Sequence, residues 1–215
     1  MEAFKTHRGL LATLDNANVD TDQIIPKQFL KSIKRTGFGE SLFFDWRYLV
    51  DGKPDPAFRL NAPRFKGASI LVVRNNFGCG SSREHAVWAV MQYGFKAVIA
   101  PWVDRDGTRV PGFADIFRNN SRQNGLLTIE LSEAEVEAIF QAVDRFPGLE
   151  ATIDLDEQRV VLHLSEAEEA FHFDIDPGVK EHLVRGLDEI GLTLQHEAKV
   201  AAFERTHDIQ MPPRG

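Results

Sequence analysis

The segment Ala68–Met91 reads ASILVVRNNFGCGSSREHAVWAVM, in which a turn rich in glycine and serine separates two apolar stretches. The first stretch, 68–73, predicts a buried strand, and the second, 86–91, predicts a helix. Gly78 and Gly80 allow the chain to turn sharply and to expose its backbone N–H groups. Two serine hydroxyls and a guanidinium then follow at the positive end of the helix. The segment therefore predicts a strand–turn–helix unit that binds a charged, oxygen-rich small molecule.

The same turn has other interpretations. Ser81 and Glu84 have the spacing of a capping box, which is a purely structural device. A phosphate-binding loop of the Walker type needs Lys followed by Ser or Thr after its last glycine, but here Ser81 and Ser82 follow. The dinucleotide-binding pattern needs three spaced glycines, and only two are present. Residue chemistry leaves the cap and the anion site open, and the doubled serine beside Arg83 favours the anion site.

Strand-like and helix-like segments alternate along the rest of the chain, so we expect an α/β fold. Strands are predicted at 8–14, 69–73, 97–100, 126–131, 151–155, 159–164 and 170–175. Helices are predicted at 26–34, 82–93, 113–120, 132–146, 179–187 and 195–206. Because no linker separates two self-sufficient cores, we expect a single domain over 1–215.

Composition excludes several classes of protein. The formal net charge of −7 argues against a nucleic-acid-binding protein, which normally carries a basic face. No apolar run approaches the roughly 20 residues that span a bilayer, and the first residues lack the apolar stretch of a secretion signal. A single cysteine rules out an internal disulfide. We therefore expect a cytoplasmic protein that binds neither nucleic acid nor membrane.

Several segments together resemble a known family. The run FGCGSSREH at 77–85 is similar to the signature of the small swivelling domain of the aconitase superfamily. NVDTDQIIPKQFL at 18–30, residues 35–47 and IGLTLQH at 190–196 are similar to the small subunits of 3-isopropylmalate dehydratases. The resemblance covers nearly the whole chain. It implies the swivelling β/β/α fold, with a mixed sheet flanked by helices.

The resemblance also implies an activity and a partner. It implies a hydro-lyase of leucine biosynthesis that interconverts 2-isopropylmalate and 3-isopropylmalate through 2-isopropylmaleate, with a [4Fe–4S] cluster as Lewis acid. Such a cluster is held by several cysteine thiolates, and Cys79 alone cannot supply them. We therefore expect the cluster on a large subunit, no metal in this chain, and a small hydroxy dicarboxylate as substrate.

The resemblance assigns roles within the turn. Ser81 occupies the position of the base that removes a C–H proton beside a carboxylate. Its alkoxide needs strong stabilisation, which the helix N-terminus, exposed N–H groups and the guanidinium of Arg83 could provide. Ser82 would donate to an oxyanion or carboxylate, and Arg83 would hold a substrate carboxylate through paired N–H bonds. The backbone of Gly78 and Gly80 would line the anion loop.

The first loop and the segment after it supply further candidates. Since the substrate is a dianion, a second cation is expected after Pro26, with Arg35 as first candidate and Lys31 behind it. A solvated charge near a surface turn is the alternative for either residue. Asp22 would orient a histidine of the partner. Without the resemblance, Asp22 would be an ordinary turn residue.

One stretch departs from the family pattern. Residues 102–112, WVDRDGTRVPG, lie where the family has a short turn, and the Asp-Arg-Asp-Gly core suggests an exposed hairpin or loop tip. Long surface insertions are tolerated because closure entropy grows slowly with length. We therefore expect 102–112 to be a surface insertion.

Two alternative functions stay open at this point. The chain could serve a related hydro-lyase acting on citraconate, 2-methylmalate or homoaconitate, with residues 28–34 setting the substrate. From a different class, it could be a stand-alone anion- or nucleotide-binding module, which would bind phosphate ligands without a partner.

Overall fold

Eight strands of the computed structural model form one mixed sheet. The structure describes residues 1–31, 36–81, 83–165, 167–186 and 197–206. The strands are β1 (Thr6–Leu14), β2 (Ile70–Val73), β3 (Ala97–Arg105), β4 (Thr108–Val110), β5 (Leu127–Ser132), β6 (Glu150–Asp154), β7 (Arg159–His163) and β8 (Glu168–His172). The helices are α1 (Thr21–Ile24), α2 (Phe44–Arg47), α3 (Glu84–Tyr93), α4 (Asp115–Asn124), α5 (Glu133–Arg145), α6 (Pro177–Arg185) and α7 (Glu197–Thr206). Short 3-10 turns lie at Lys27–Lys31, Gly39–Ser41, Arg59–Asn61 and Pro63–Phe65.

Strand β1 joins two halves of the sheet. Its second half, Leu11–Leu14, pairs in parallel with β2, and its first half, Thr6–Leu10, pairs antiparallel with β6. On one side the parallel order continues from β2 to β3 and then to β5. On the other side β6, β7 and β8 form an antiparallel meander. The mixed α/β sheet confirms the predicted fold class.

The two halves differ in how they are buried. All four residues of β2 are fully buried, as expected for a parallel strand covered on both faces. In β7, buried and partly exposed residues alternate, which is typical of an antiparallel strand with one solvated face. Helix α5 packs against the parallel half and buries Val136, Ile139, Phe140 and Val143. Among the helices that the structure describes, none is long and apolar enough to cross a membrane.

The start of α3 differs from the prediction. The helix begins at Glu84, and its N-cap is Arg83, which makes no capping side-chain bond within the described residues. Ser81 is therefore not the N-cap, and the capping-box interpretation that the sequence left open does not hold. The physical reason is that the backbone at Arg83 is still extended, so the helix begins three residues after Ser81. The carboxylate of Glu84 instead accepts a hydrogen bond of 3.0 Å from Asn124.

Strand β3 is longer than predicted because it continues into a hairpin. Residues Val103–Arg105 pair antiparallel with β4, and the turn lies at Asp106 and Gly107, both with positive φ. Residues 104–109 are exposed, so the expected surface hairpin within 102–112 is present. That this stretch is an insertion relative to the family stays a prediction, as does the single-domain interpretation.

An ionic cluster fastens the turns at Arg59–Phe65 to helix α5. Arg59 and Arg64 both bind Oδ1 of Asp144, with an Arg64 Nη2 distance of 3.0 Å. Nε of Arg59 also donates to the Thr13 hydroxyl of β1, at 2.7 Å. The hydrogen bond from Arg59 holds the pKa of Asp144 below its ordinary value, against a smaller opposing effect of burial.

We expect Asp144→Asn to destabilise the protein at neutral pH and to have less effect as the pH falls. Because the folded-state pKa of Asp144 lies below the ordinary 3.8, the stability that the carboxylate contributes is present above that value. It is lost as the pH falls through the folded-state pKa. Since the side chain is 55% exposed, the effect should be about 1 kcal/mol or less.

Urea unfolding of both proteins across a pH series measures this difference. Asp106→Asn, at the exposed hairpin tip, is the control and should match wild type at every pH. A constant deficit of Asp144→Asn down to the lowest pH would contradict the ionic explanation.

Candidate functional site

The candidate site lies where β1 and β2 end. Because the two strands are parallel, their carboxyl ends meet at one edge of the sheet, and the loops that follow them pair again. The Gly78 N–H donates to the Val19 carbonyl at 2.8 Å, and the Thr21 N–H donates to the Cys79 carbonyl at 2.9 Å. Asp20 and Cys79 form an isolated parallel bridge between these bonds. The first loop and the glycine–serine turn thus behave as one unit.

Two asparagines hold the loops together at their base. Asn18 and Asn76 both adopt left-handed backbone conformations, with φ of 56° and 58°. Asparagine tolerates this region better than most residues. The Asn76 side-chain amide donates to the Asn18 side-chain oxygen at 2.8 Å, and the Asn18 N–H donates to the Asn75 carbonyl at 3.0 Å. The two loops therefore leave the sheet side by side.

Phe77 attaches the turn to the core and to the segment after β4. Its N–H donates to the Gly112 carbonyl and its carbonyl accepts from the Ala114 N–H, both at 3.0 Å. Its ring is fully buried and packs at centroid distances of 5.2 Å from Phe117 and 6.5 Å from Phe43. The turn is therefore fixed to the segment after β4 as well as to the first loop.

Ser81 is the residue of the glycine–serine turn that follows Gly80. Its side chain is exposed, and its carbonyl accepts a hydrogen bond of 2.6 Å from the Thr21 hydroxyl. The Ser81 hydroxyl itself has no hydrogen bond to any other residue in the described part of the chain. Ser81 lies two residues before the N-cap of α3, which is close to the helix start but not part of its first turn.

Arg83 and Asp22, for which the sequence predicted contacts with substrate and with the partner, contact each other. Nη1 of Arg83 donates to Oδ1 of Asp22, and the arginine side chain is only 13% exposed. The second carboxylate oxygen of Asp22 lies 3.5 Å from Nζ of Lys27. The carboxylate of Asp22 therefore lies between two cations, Arg83 and Lys27, which could each bind an anionic ligand. Sequence reasoning missed Lys27, although it directly follows Pro26 in the segment where a second cation was expected.

The side chains of three predicted substrate-binding residues lie outside the part of the chain that the structure describes. Ser82 and Arg35 lie outside the described residues, and for Lys31 only the backbone, at the end of a 3-10 turn, is described. Their predicted contacts with substrate stay predictions.

Cys79 lies within the turn as a thiol. Its Sγ donates to the Asn18 carbonyl at 3.4 Å. Burial, and then the negative charge of Asp20, raise the pKa of the Cys79 thiol. Among the described residues, no three His, Cys, Asp or Glu side chains are grouped so as to hold a metal ion. The chain has one cysteine in total, so its residues do not fit a [4Fe–4S] cluster held by thiolates.

Comparison with known proteins identifies the family. The chain is 57% identical over 214 residues to the 3-isopropylmalate dehydratase small subunit of Desulforapulum autotrophicum, covering 100% of both chains. It is 51% identical over 221 residues to the small subunit of the same name from Methylibium petroleiphilum, covering 99% of this chain and 96% of that one. The chain belongs to the 3-isopropylmalate dehydratase small-subunit family. These names do not favour the other hydro-lyases or the stand-alone binding module.

Family profiles agree with this assignment, and a solved structure agrees with the fold. Residues 1–134 match the profile described as the aconitase C-terminal domain. Residues 189–212 match the profile of the C-terminal domain of 3-isopropylmalate dehydratase small subunits. A crystal structure of 3-isopropylmalate dehydratase from Methanocaldococcus jannaschii has a TM-score of 0.63 at 24% identity. The match covers 92% of this chain and 99% of that one, and it confirms the fold.

We expect Gly78→Ala to disrupt the turn through a steric clash. A Cβ atom at Gly78 would lie 2.3 Å from Cγ of Phe117, and the backbone φ is +77°. The core cannot shift cheaply around a buried phenylalanine, so we expect a loss of about 2–4 kcal/mol in the free energy of unfolding. Chemical denaturation measures this loss.

Gly52→Ala is the matched control for the backbone strain. Gly52 has a φ of +79°, but its added Cβ would have no heavy atom within 4 Å. We expect Gly52→Ala to lower the free energy of unfolding by only about 1–2 kcal/mol, which is the cost of a left-handed backbone for a residue with a Cβ atom. Equal losses for the two variants would contradict a clash with Phe117.

Proposed function

We propose that this chain is the cytoplasmic small subunit of a heteromeric 3-isopropylmalate dehydratase that works with a cluster-bearing large subunit. With that partner it would interconvert 2- and 3-isopropylmalate through 2-isopropylmaleate in leucine biosynthesis. The observation that carries the proposal is the 57% identity over the whole chain with a small subunit of that name. An exposed serine two residues before Arg83, whose guanidinium contacts Asp22 at the same edge of the sheet, supports it.

Ser81 is the proposed base. The reaction removes water and adds it back with the hydroxyl on the neighbouring carbon, so a proton must leave a carbon beside a carboxylate. A serine hydroxyl is too weakly acidic to act as the base unless its alkoxide is stabilised. The cations Arg83 and Lys27, both of which contact Asp22, would supply part of this stabilisation. The positive end of α3 would add to it.

Arg83 is the proposed ligand of one substrate carboxylate. Its guanidinium has five N–H donors, and the described contact with Asp22 uses Nη1. The remaining donors could form a paired contact with a carboxylate. Asp22 would then fix the plane of the guanidinium before substrate arrives, in addition to the proposed contact with a histidine of the partner. Ser82 and the backbone of Gly78 and Gly80 would complete this anion loop.

The second carboxylate of the substrate would need a second cation. Arg35 and Lys31 remain the proposed residues, and Lys27 joins them because it already lies 3.5 Å from Asp22. All three belong to the segment that follows α1, so substrate binding would draw on both loops of the site.

We place the iron–sulfur cluster on the large subunit, because the residues of this chain do not fit it. Once bound there, the cluster would supply the Lewis acid that polarises the departing hydroxyl. This chain would contribute proton transfer, carboxylate binding and the exclusion of water from the shared site.

We expect Ser81→Ala to remove turnover without preventing assembly. The chain is purified without oxygen in complex with a large subunit, and conversion of 2-isopropylmalate is followed. Wild type should be active only in that complex, and Ser81→Ala should lower kcat by at least about 100-fold, as for loss of a general base. Assembly should be unchanged because the hydroxyl makes no bond to the described residues.

Ser165→Ala is the matched control, because Ser165 is also exposed but lies between β7 and β8, far along the sheet. It should keep wild-type turnover. Unchanged kcat in Ser81→Ala would overturn the base assignment. Absence of turnover in the assembled wild type would overturn the proposed function itself.

We expect Arg83→Lys to weaken substrate binding although the positive charge is kept. Lysine lacks the planar fork that binds a carboxylate in pairs and contacts Asp22 at the same time. Its KM should rise by about tenfold, which corresponds to one lost charged hydrogen bond. Arg118→Lys, in an exposed ion pair with Asp115 on α4, is the control and should leave KM unchanged. An unchanged KM in Arg83→Lys would contradict carboxylate binding.

A further inference from the structure

We propose that Thr21 is a positioning residue for Ser81, acting through a hydrogen bond to the Ser81 backbone. This inference rests on the proposed function, in which Ser81 is the base. It assigns a specific role to Thr21, a buried threonine at the start of α1.

One threonine fixes two carbonyl groups of the catalytic turn. The Thr21 hydroxyl donates to the Ser81 carbonyl at 2.6 Å, and the Thr21 backbone N–H donates to the Cys79 carbonyl at 2.9 Å. Thr21 is only 2% exposed, so water does not compete freely for these bonds. The bonds hold the turn on both sides of Gly80, which lies between the two carbonyl-bearing residues.

The turn needs such an anchor because Gly80 imposes little restriction of its own. Gly80 has a φ of +85°. Glycine adopts positive φ about as readily as negative φ, so its backbone is free to change conformation. A Cβ on Gly80 would lie 3.2 Å from Cβ of Asp20, which shows how closely the two loops approach. Without the Thr21 hydroxyl, the Ser81 peptide could rotate about the Gly80 backbone, and its Oγ would lose a fixed position.

Thr21 is itself held rigidly, so it can act as a reference point. Asp20 and Gln23 form a reciprocal capping box at the start of α1, with both bonds at 2.8 Å. At the other end of this short helix, the fully buried Ile24 accepts a hydrogen bond of 2.8 Å from the Phe43 N–H. The position of the hydroxyl is thus fixed by the core.

The test measures kcat and KM separately in the enzyme assembled with its large subunit. Thr21→Val keeps the shape and removes the hydroxyl, whereas Thr21→Ser keeps the hydroxyl. We expect Thr21→Val to lower kcat by about 10- to 100-fold, the cost of a misplaced reacting group, with KM within about twofold of wild type. Thr21→Ser should restore kcat to within about threefold of wild type, since its hydroxyl can make the same bond.

Thr13→Val is the matched control. Thr13 is also a fully buried threonine, and its hydroxyl accepts a hydrogen bond of 2.7 Å from Arg59, away from the turn. This variant should lose thermal stability and keep the wild-type kcat. A merely structural contribution of Thr21 would give the same pattern as Thr13.

Each outcome decides the inference. A kcat of Thr21→Val equal to wild type overturns it and leaves the proposed function standing. Loss of assembly with the large subunit, or failure of Thr21→Ser to restore kcat, assigns Thr21 a structural role and also overturns it. If assembled wild type has no turnover, the proposed function fails first, and the inference fails with it.

Discussion

The pairing of the two loops beyond the ends of β1 and β2 is the constraint on which the site depends. The strands end at Leu14 and Val73, yet the loops that follow them meet again in a parallel bridge between Asp20 and Cys79. Glycine in the turn allows this close approach, and backbone hydrogen bonds fix it. Ser81 thereby acquires a defined place although it lies outside regular secondary structure.

Electrostatics at the site follows from the same pairing. Asp22 follows the first strand and Arg83 follows the second, and their contact spans 61 residues of sequence. The carboxylate allows two cations to lie close together with less mutual repulsion, because it interacts favourably with both. Two cations thus lie at one edge of the sheet in a chain whose formal net charge is −7.

Local patterns predicted local features, and long-range contacts explain the errors. The helix predicted at 132–146 is present as α5, and its capping box needs only local sequence, because Ser132 and Glu135 bond each other within one turn. The similar pattern at Ser81 forms no box, because the backbone is still extended at Arg83 while the turn pairs with the first loop, which is distant in sequence. The fold class could be predicted from alternating segments and from the family resemblance. The contacts of Arg83 could not, because no periodicity encodes which loops meet.

The division of β1 between two partners has a consequence for synthesis of the chain. Thr6 pairs with Asp154, so the first half of this strand finds its neighbour only after most of the chain has been made. Until then its backbone groups form an open edge, which can pair with other chains. The second half can join β2 much earlier. We infer that the edge of the sheet that carries Ser81 can form before the opposite end, and that nascent chains in which β6 has not yet been made expose the unpaired first half of β1.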